Sequence, residues 1–156
     1  MARRVVKTPR VRAVKLGAVT RKEHATLCLE LDGEPIEVDQ EIVPLVIALN
    51  ELPMIRTLAS CQEEPYVMFR GVFGSTEEAT HRLADWLMGQ GQCSVGVSLR
   101  WLTGKLPTGH LQVYYRPGER LEALKRVTQA VRELKMQLEA RRPPRRPGTD
   151  RDPSAA

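Results

Sequence analysis

Ser60, Cys61, Gln62 and Glu63, followed by Glu64, form the densest run of chemically capable side chains in this 156-residue chain. A thiol at Cys61 could attack an electrophile, with Glu63 as acid or base and Ser60 and Gln62 as hydrogen-bonding neighbours. Such chemistry wants a cation or a helix N-terminus beside the thiol. Here the neighbours in sequence are Glu63 and Glu64, and His24, His81 and His110 are all distant. A Cys–His pair could arise only through folding. The plainer reading is a half-buried cysteine at a strand end.

Other reaction signatures are missing. Cys28, Cys61 and Cys93 lie more than thirty residues apart, and the only close spacing of zinc-ligand type is His24 with Cys28. Structural zinc uses closely spaced ligand pairs, so no metal site is assigned. Gly104-Lys105 is followed by Leu106 rather than Ser or Thr, and Gly89-x-Gly91 leaves a helical pattern instead of opening one. Neither makes a phosphate loop. No serine-hydrolase elbow occurs. The residues call for no cofactor.

A different kind of surface is written in two alternating stretches, 94–101 and 110–116. Val95, Val97, Leu99 and Trp101 alternate with Ser94, Gly96, Ser98 and Arg100. Leu111, Val113 and Tyr115 alternate with His110, Gln112, Tyr114 and Arg116. If the two pair, one sheet face collects Arg100, His110, Tyr114 and Arg116. Such faces stack bases and hold phosphates. The same pattern also describes a solvated outer sheet face.

Charge is unevenly distributed. The chain carries +5 overall, yet residues 1–22 hold eight cations and no acid, among them Arg3, Arg4, Lys7, Arg10, Arg12 and Lys15. Residues 141–156 hold five arginines and two aspartates, which leaves the 23–140 body at −6. Basic ends on an acidic body suit a polyanion such as nucleic acid, solubilising tails, or an arm docked on its own body. The organisation read from this is a basic arm over 1–22, one domain over 23–140 and a disordered Pro/Arg-rich tail over 141–156. No apolar run is long enough to span a membrane, and the start lacks a signal core. Unpaired cysteine spacing fits a reducing, cytoplasmic setting.

The elements that must position these groups follow from periodicity. Residues 26–38 alternate around Asp32-Gly33, which predicts a hairpin with Pro35 at an edge. Ile42, Leu45, Val46, Leu49 and Leu52 recur at helical spacing after Asp39, a candidate N-cap. Strands over 55–59 and 66–70 flank the Ser-Cys-Gln loop. Ser75 and Glu78 match a capping box that opens a second helix. A third helix over 119–139 lines up Leu124, Val127, Val131, Leu134 and Leu138, with Glu122–Arg126 as an i,i+4 pair. That stripe either packs on the sheet or supports a homodimer. The expected fold class is α+β, mostly antiparallel, with an N-terminal hairpin, a βαββαβ ferredoxin-like core and a C-terminal helix.

The run Val38-Asp39-Gln40-Glu41-Ile42-Val43-Pro44-Leu45, with Leu49-Asn50-Glu51-Leu52-Pro53, Thr57, Ser60-Cys61-Gln62 and Tyr66-Val67-Met68-Phe69, resembles a small family of uncharacterised bacterial and phage proteins. The resemblance covers about thirty residues and implies no particular activity; Met54 and Glu63 stand where that pattern has glycine. More remotely, a strand ending in Ser60-Cys61 is similar to the Ser-Cys-Ser-Gly-Arg motif of the wybutosine-synthesis tRNA methyltransferase family. That similarity implies RNA modification by methyl transfer, but the family's Gly and Arg are Glu63 and Glu64 here.

Overall fold

The computed structural model describes residues 12–14, 25–91, 94–101 and 105–142, with side chains from residue 25 onward. Seven strands and three helices follow one another as β1 (Arg12–Val14), β2 (Thr26–Leu31), β3 (Glu34–Asp39), α1 (Val43–Asn50), β4 (Ile55–Cys61), β5 (Tyr66–Gly71), α2 (Thr76–Gly89), β6 (Val95–Arg100), β7 (Thr108–Val113) and α3 (Arg120–Ala140). A 3-10 turn, Gln40–Ile42, leads into α1. The class is α+β, as the patterns predict, with a hairpin near the start and a long helix at the end.

The strands form two antiparallel sheets, ordered β1-β2-β3 and β4-β5-β7-β6. The βαββαβ succession therefore runs from β3 to β6 along the chain but is shared between sheets. A ferredoxin-like unit keeps those strands in one sheet. Here β3 pairs with β2, and β7 takes the place between β5 and β6. Both β2–β3 and β6–β7 are consecutive in the chain, and consecutive strands usually pair.

The first sheet turns at Asp32-Gly33, both in the left-handed region. Leu29, Leu31 and Val38 are buried from one face, and Leu27 and Ile36 pack against the core. Pro35 lies on the edge strand, where its missing N–H removes no ladder bond. On the second sheet Val67, Phe69, Leu111 and Val113 face the helices and are fully buried. Buried aliphatic and aromatic side chains of this size each contribute about 1.5–3 kcal/mol.

Helix α1 is enclosed by β4 and α3, so Val43, Leu45, Val46, Ala48 and Leu49 are all buried. Pro44 sits in its first turn, where no backbone bond is lost. Asn50, at its last turn and buried, joins the helix to β4. Its Nδ2 donates to Val46 O and Thr57 Oγ1, and its Oδ1 accepts from Thr57 N at 3.0 Å. Helix α2 begins with Ser75 Oγ accepting from Glu78 N, one half of the expected capping box. Helix α3 buries Leu124, Val127, Val131 and Leu134 inside the protomer. The stripe offered for a homodimer is thus engaged in this chain's own core. Its exposed surface pairs Lys125 with Glu122 rather than Glu122 with Arg126.

Asp39 does not cap the following turn by a side-chain bond. Its Oδ2 instead accepts from Gln62 N at 3.0 Å, drawing the end of β4 against the end of β3. Arg56 makes a second link between the sheets, through an ion pair with Asp32 and a hydrogen bond to Leu31 O at 2.9 Å. Among the described residues, no helix is long and apolar enough to cross a membrane.

Candidate functional site

Helices cover one face of the second sheet, and its other face looks outward. Cross-strand partners share a face, so the register reads out that surface row by row. Cys61, Tyr66, Gln112 and Gly96 form one row; Ala59, Met68, His110 and Ser98 form the next. Arg56 opposes Arg70, and Arg100 opposes Thr108, at the far end of the face. The two alternating stretches therefore pair over 95–100 and 108–113, with Ser98 opposite His110, and the pairing stops short of Tyr115 and Arg116.

Two aromatic features stand on this face. The rings of Tyr66 and His110 stack with centroids 6.5 Å apart and planes inclined by 25°. Tyr114, 58% exposed, lays its ring over Gly96. A Cβ at Gly96 would meet Tyr114 Cε2 at 3.1 Å, so glycine is what lets the ring lie close to the sheet. Tyr114 N donates to Ser94 O at 2.6 Å, which extends the β6–β7 pairing one step past the strand and fixes that ring's root.

Cations flank the aromatics. Arg70 and Arg100 are exposed and make no ion pair among the described residues. Arg56 is committed to Asp32 and Leu31 and is largely withdrawn from solvent. Strand spacing places the backbones of Arg70 and Arg100, two strands apart, about 10 Å from each other. His110 Nε2 lies 3.2 Å from Thr108 Oγ1. Burial first, and then the positive charge of Arg100, push its pKa below the ordinary histidine value. His110 is therefore a neutral ring at pH 7, suited to stacking rather than to charge pairing.

The remaining sequence-predicted residues divide. Arg116 falls beyond β7, in the turn leading to α3, where its carbonyl accepts from Glu119 N. Arg3, Arg4, Lys7, Arg10 and Lys15 lie outside the described residues, as do residues 143–156. Arg12 contributes backbone to β1, paired opposite Glu30.

The Ser-Cys-Gln-Glu run is split up by a bulge. Thr57 pairs with Phe69, but Ala59 pairs with Met68, which leaves Leu58 extra and exposed. An extra residue flips the side-chain parity beyond it. Cys61 consequently joins the open face opposite Tyr66, while Ser60 takes the helix side opposite Val67. Gln62 is buried, its Oε1 accepting from Glu41 N at 3.1 Å. Glu63 is exposed and its carbonyl accepts from Tyr115 Oη at 3.1 Å. Of these four residues only Gln62 lines the large groove beside α3. They point in different directions and do not converge on one reaction centre. Among the described residues, no group of three or more His, Cys, Asp or Glu side chains gathers into a metal-binding cluster.

Sequence reasoning missed Tyr66, Met68 and Arg70. Their signal was available: they alternate with the apolar Val67 and Phe69. What the pattern could not supply was that β7 pairs with β5, which adds this trio to the His110 face.

No family model matches the chain, and no curated protein or solved structure matches it either.

Proposed function

We propose that this protein binds single-stranded nucleic acid on the open face of its second sheet, with the basic 1–22 arm adding sequence-independent affinity. The observation that carries the reading is the placement of the Tyr66–His110 stack and the Tyr114 ring on one solvent-facing surface with the uncommitted Arg70 and Arg100. Unpaired bases stack on aromatic side chains, and nearby guanidinium groups hold phosphates. At pH 7 the neutral His110 ring can still stack on a base, and its protonation at lower pH would add attraction for phosphate. Eight cations in the first 22 residues supply the long-range attraction that brings a polyanion to an otherwise acidic body.

The test is binding of fluorescein-labelled U-rich RNA and dT oligomers to the full chain, followed by anisotropy across a salt series. Binding at low salt should weaken steeply as salt is added, and removal of residues 1–22 should weaken it further. Absence of binding to either polymer at low salt overturns the proposal. Tight binding that is unaffected by changes at Tyr66, Tyr114, Arg70 and Arg100 moves the contact off this face and overturns the site.

A further inference from the structure

A groove of about 1050 Å³ runs between the start of α3 and the 3-10 turn before α1, away from the open sheet face. Its ionic lining is Arg120, Lys125 and Arg132 against the single acid Glu41. Glu41 is already engaged: its Oε2 forms an ion pair with Arg120 Nη2. The pair is poorly aligned for hydrogen bonding, and both Glu41 Oε2 and Arg120 Nε are buried atoms without a hydrogen-bond partner. Lys125 contacts Glu122 only across an exposed 3.4 Å pair, which solvent screens. Arg132 has no ion-pair partner among the described residues.

Gln62 supplies an independent observation. It is only 6% exposed, yet it lines this groove. The Glu41 N–H donates to its Oε1 and so orients the carboxamide, and its Nε2 makes no hydrogen bond among the described residues. An amide nitrogen held in one orientation, with no acceptor among the described residues, is a donor prepared for an acceptor. The Arg120 guanidinium, whose Nε is buried and unpartnered among the described residues, shares the groove lining with it, and Lys125 and Arg132 add positive charge to that lining. Pro44, Leu121 and Leu124 provide an apolar wall.

We propose that this groove binds a phosphomonoester carried on an organic group of about nucleotide size. The charged groups that line the groove, three cations against Glu41, leave an excess of positive charge that suits the charge of about −1.5 to −2 on a phosphomonoester at neutral pH. Its three terminal oxygens accept from the Gln62 amide and the Arg120 guanidinium, charge-assisted bonds of the stronger kind. The groove volume is at the upper end of those that hold small molecules, so the phosphate leaves room for an organic body against Leu121 and Leu124. The site is separate from the open sheet face and does not depend on nucleic acid binding there.

The test uses the full chain, isotopically labelled and titrated separately with AMP and with inorganic phosphate while NMR amide signals are followed. AMP should shift the Gln62 side-chain amide and the backbone signals of Thr128 and Gln129, and should bind at least about tenfold more tightly than inorganic phosphate. Lys125→Gln with Arg132→Gln, both exposed positions, should weaken AMP binding by about tenfold, as expected for the loss of charge-assisted contacts worth about 1.4 kcal/mol together. The fold of this variant is checked by the unchanged signals of Val67 and Leu111. No shift at millimolar AMP overturns the proposal. So do shifts confined to Tyr66, Ser98 and His110, which would report the sheet face instead. Equal responses to AMP and inorganic phosphate overturn the organic part of the ligand.

Discussion

Tyr66 and His110 stack across neighbouring strands at 6.5 Å, and the register that joins them also places Cys61 and Gln112 in the Tyr66 row. The stack preorganises an aromatic surface on a sheet whose other face packs against the helices. Rigid aromatic platforms lose little freedom when a base lands on them. Tyr66→Ala should therefore weaken single-strand binding by about 1–3 kcal/mol, the usual contribution of one stacked base. Because Tyr66 is only half-buried, its loss should leave the thermal midpoint within a few degrees of the parent. Comparing oligonucleotide affinity with the melting curve separates the two effects.

Arg70 and Arg100 flank the stack without acidic partners among the described residues. For a single strand, each phosphate contact contributes about −0.7 to the slope of log affinity against log salt. Arg70→Gln and Arg100→Gln should each make that slope shallower by about 0.7. The double variant should lose about twice that amount. Affinity lost with no change in slope would mean that the arginines contact bases rather than phosphates.

His110 links the same surface to pH. Burial, then Arg100, lowers its pKa in the folded chain below the ordinary 6.5. The unfolded chain thus holds this proton more tightly. The stability His110 contributes is complete above 6.5 and is lost as pH falls from there through the lowered folded value. Nucleic acid acts in the opposite direction, because phosphates favour the charged imidazolium. Binding should tighten over the window in which stability declines. His110→Gln should flatten both trends between pH 7 and 5, and Arg100→Gln should shift the histidine titration upward in NMR.

Much of this architecture is visible in the sequence because local periodicity determines it. The 26–38 hairpin, the capped start of α2 and the apolar stripe of α3 all rest on neighbours within a few residues. What escapes is non-local. Asp39 is a plausible cap for the next helix, yet Gln62 N, 23 residues away, claims its carboxylate. Gln62 itself reads as a reactive neighbour of Cys61, whereas its backbone N–H joins β4 to the end of β3 and its Oε1 joins it to the 3-10 turn. The bulge after Thr57 carries no glycine or proline to announce it, so the side to which Cys61 points could not be read from alternation. Tyr115 continues the apolar alternation of Leu111 and Val113 but remains 41% exposed, its hydroxyl donating to Glu63 O. The strand ends at Val113, and the alternation beyond it no longer measures burial.

Gly109 gives a stringent test of how tightly the sheet and helices fit. It lies in β7 opposite Phe69 and Leu99. A Cβ there would come within 2.3 Å of Phe69 Cε2 and 2.8 Å of Thr80 Oγ1. Neither neighbour can yield freely: Phe69 is fully buried, and Thr80 donates its hydroxyl to Thr76 O inside α2. Gly109→Ala should therefore destabilise the fold by about 1–3 kcal/mol, the usual cost of overpacking. Phe69→Leu alone should also destabilise, through the volume it removes. Combined with Gly109→Ala, however, it vacates the ring position that the new methyl group needs. The double variant should be more stable than the sum of the single effects predicts, by about 0.5–3 kcal/mol in a double-mutant cycle read from denaturant unfolding. Simple additivity would show that the second sheet relaxes away from α2 instead of holding Phe69 against Gly109.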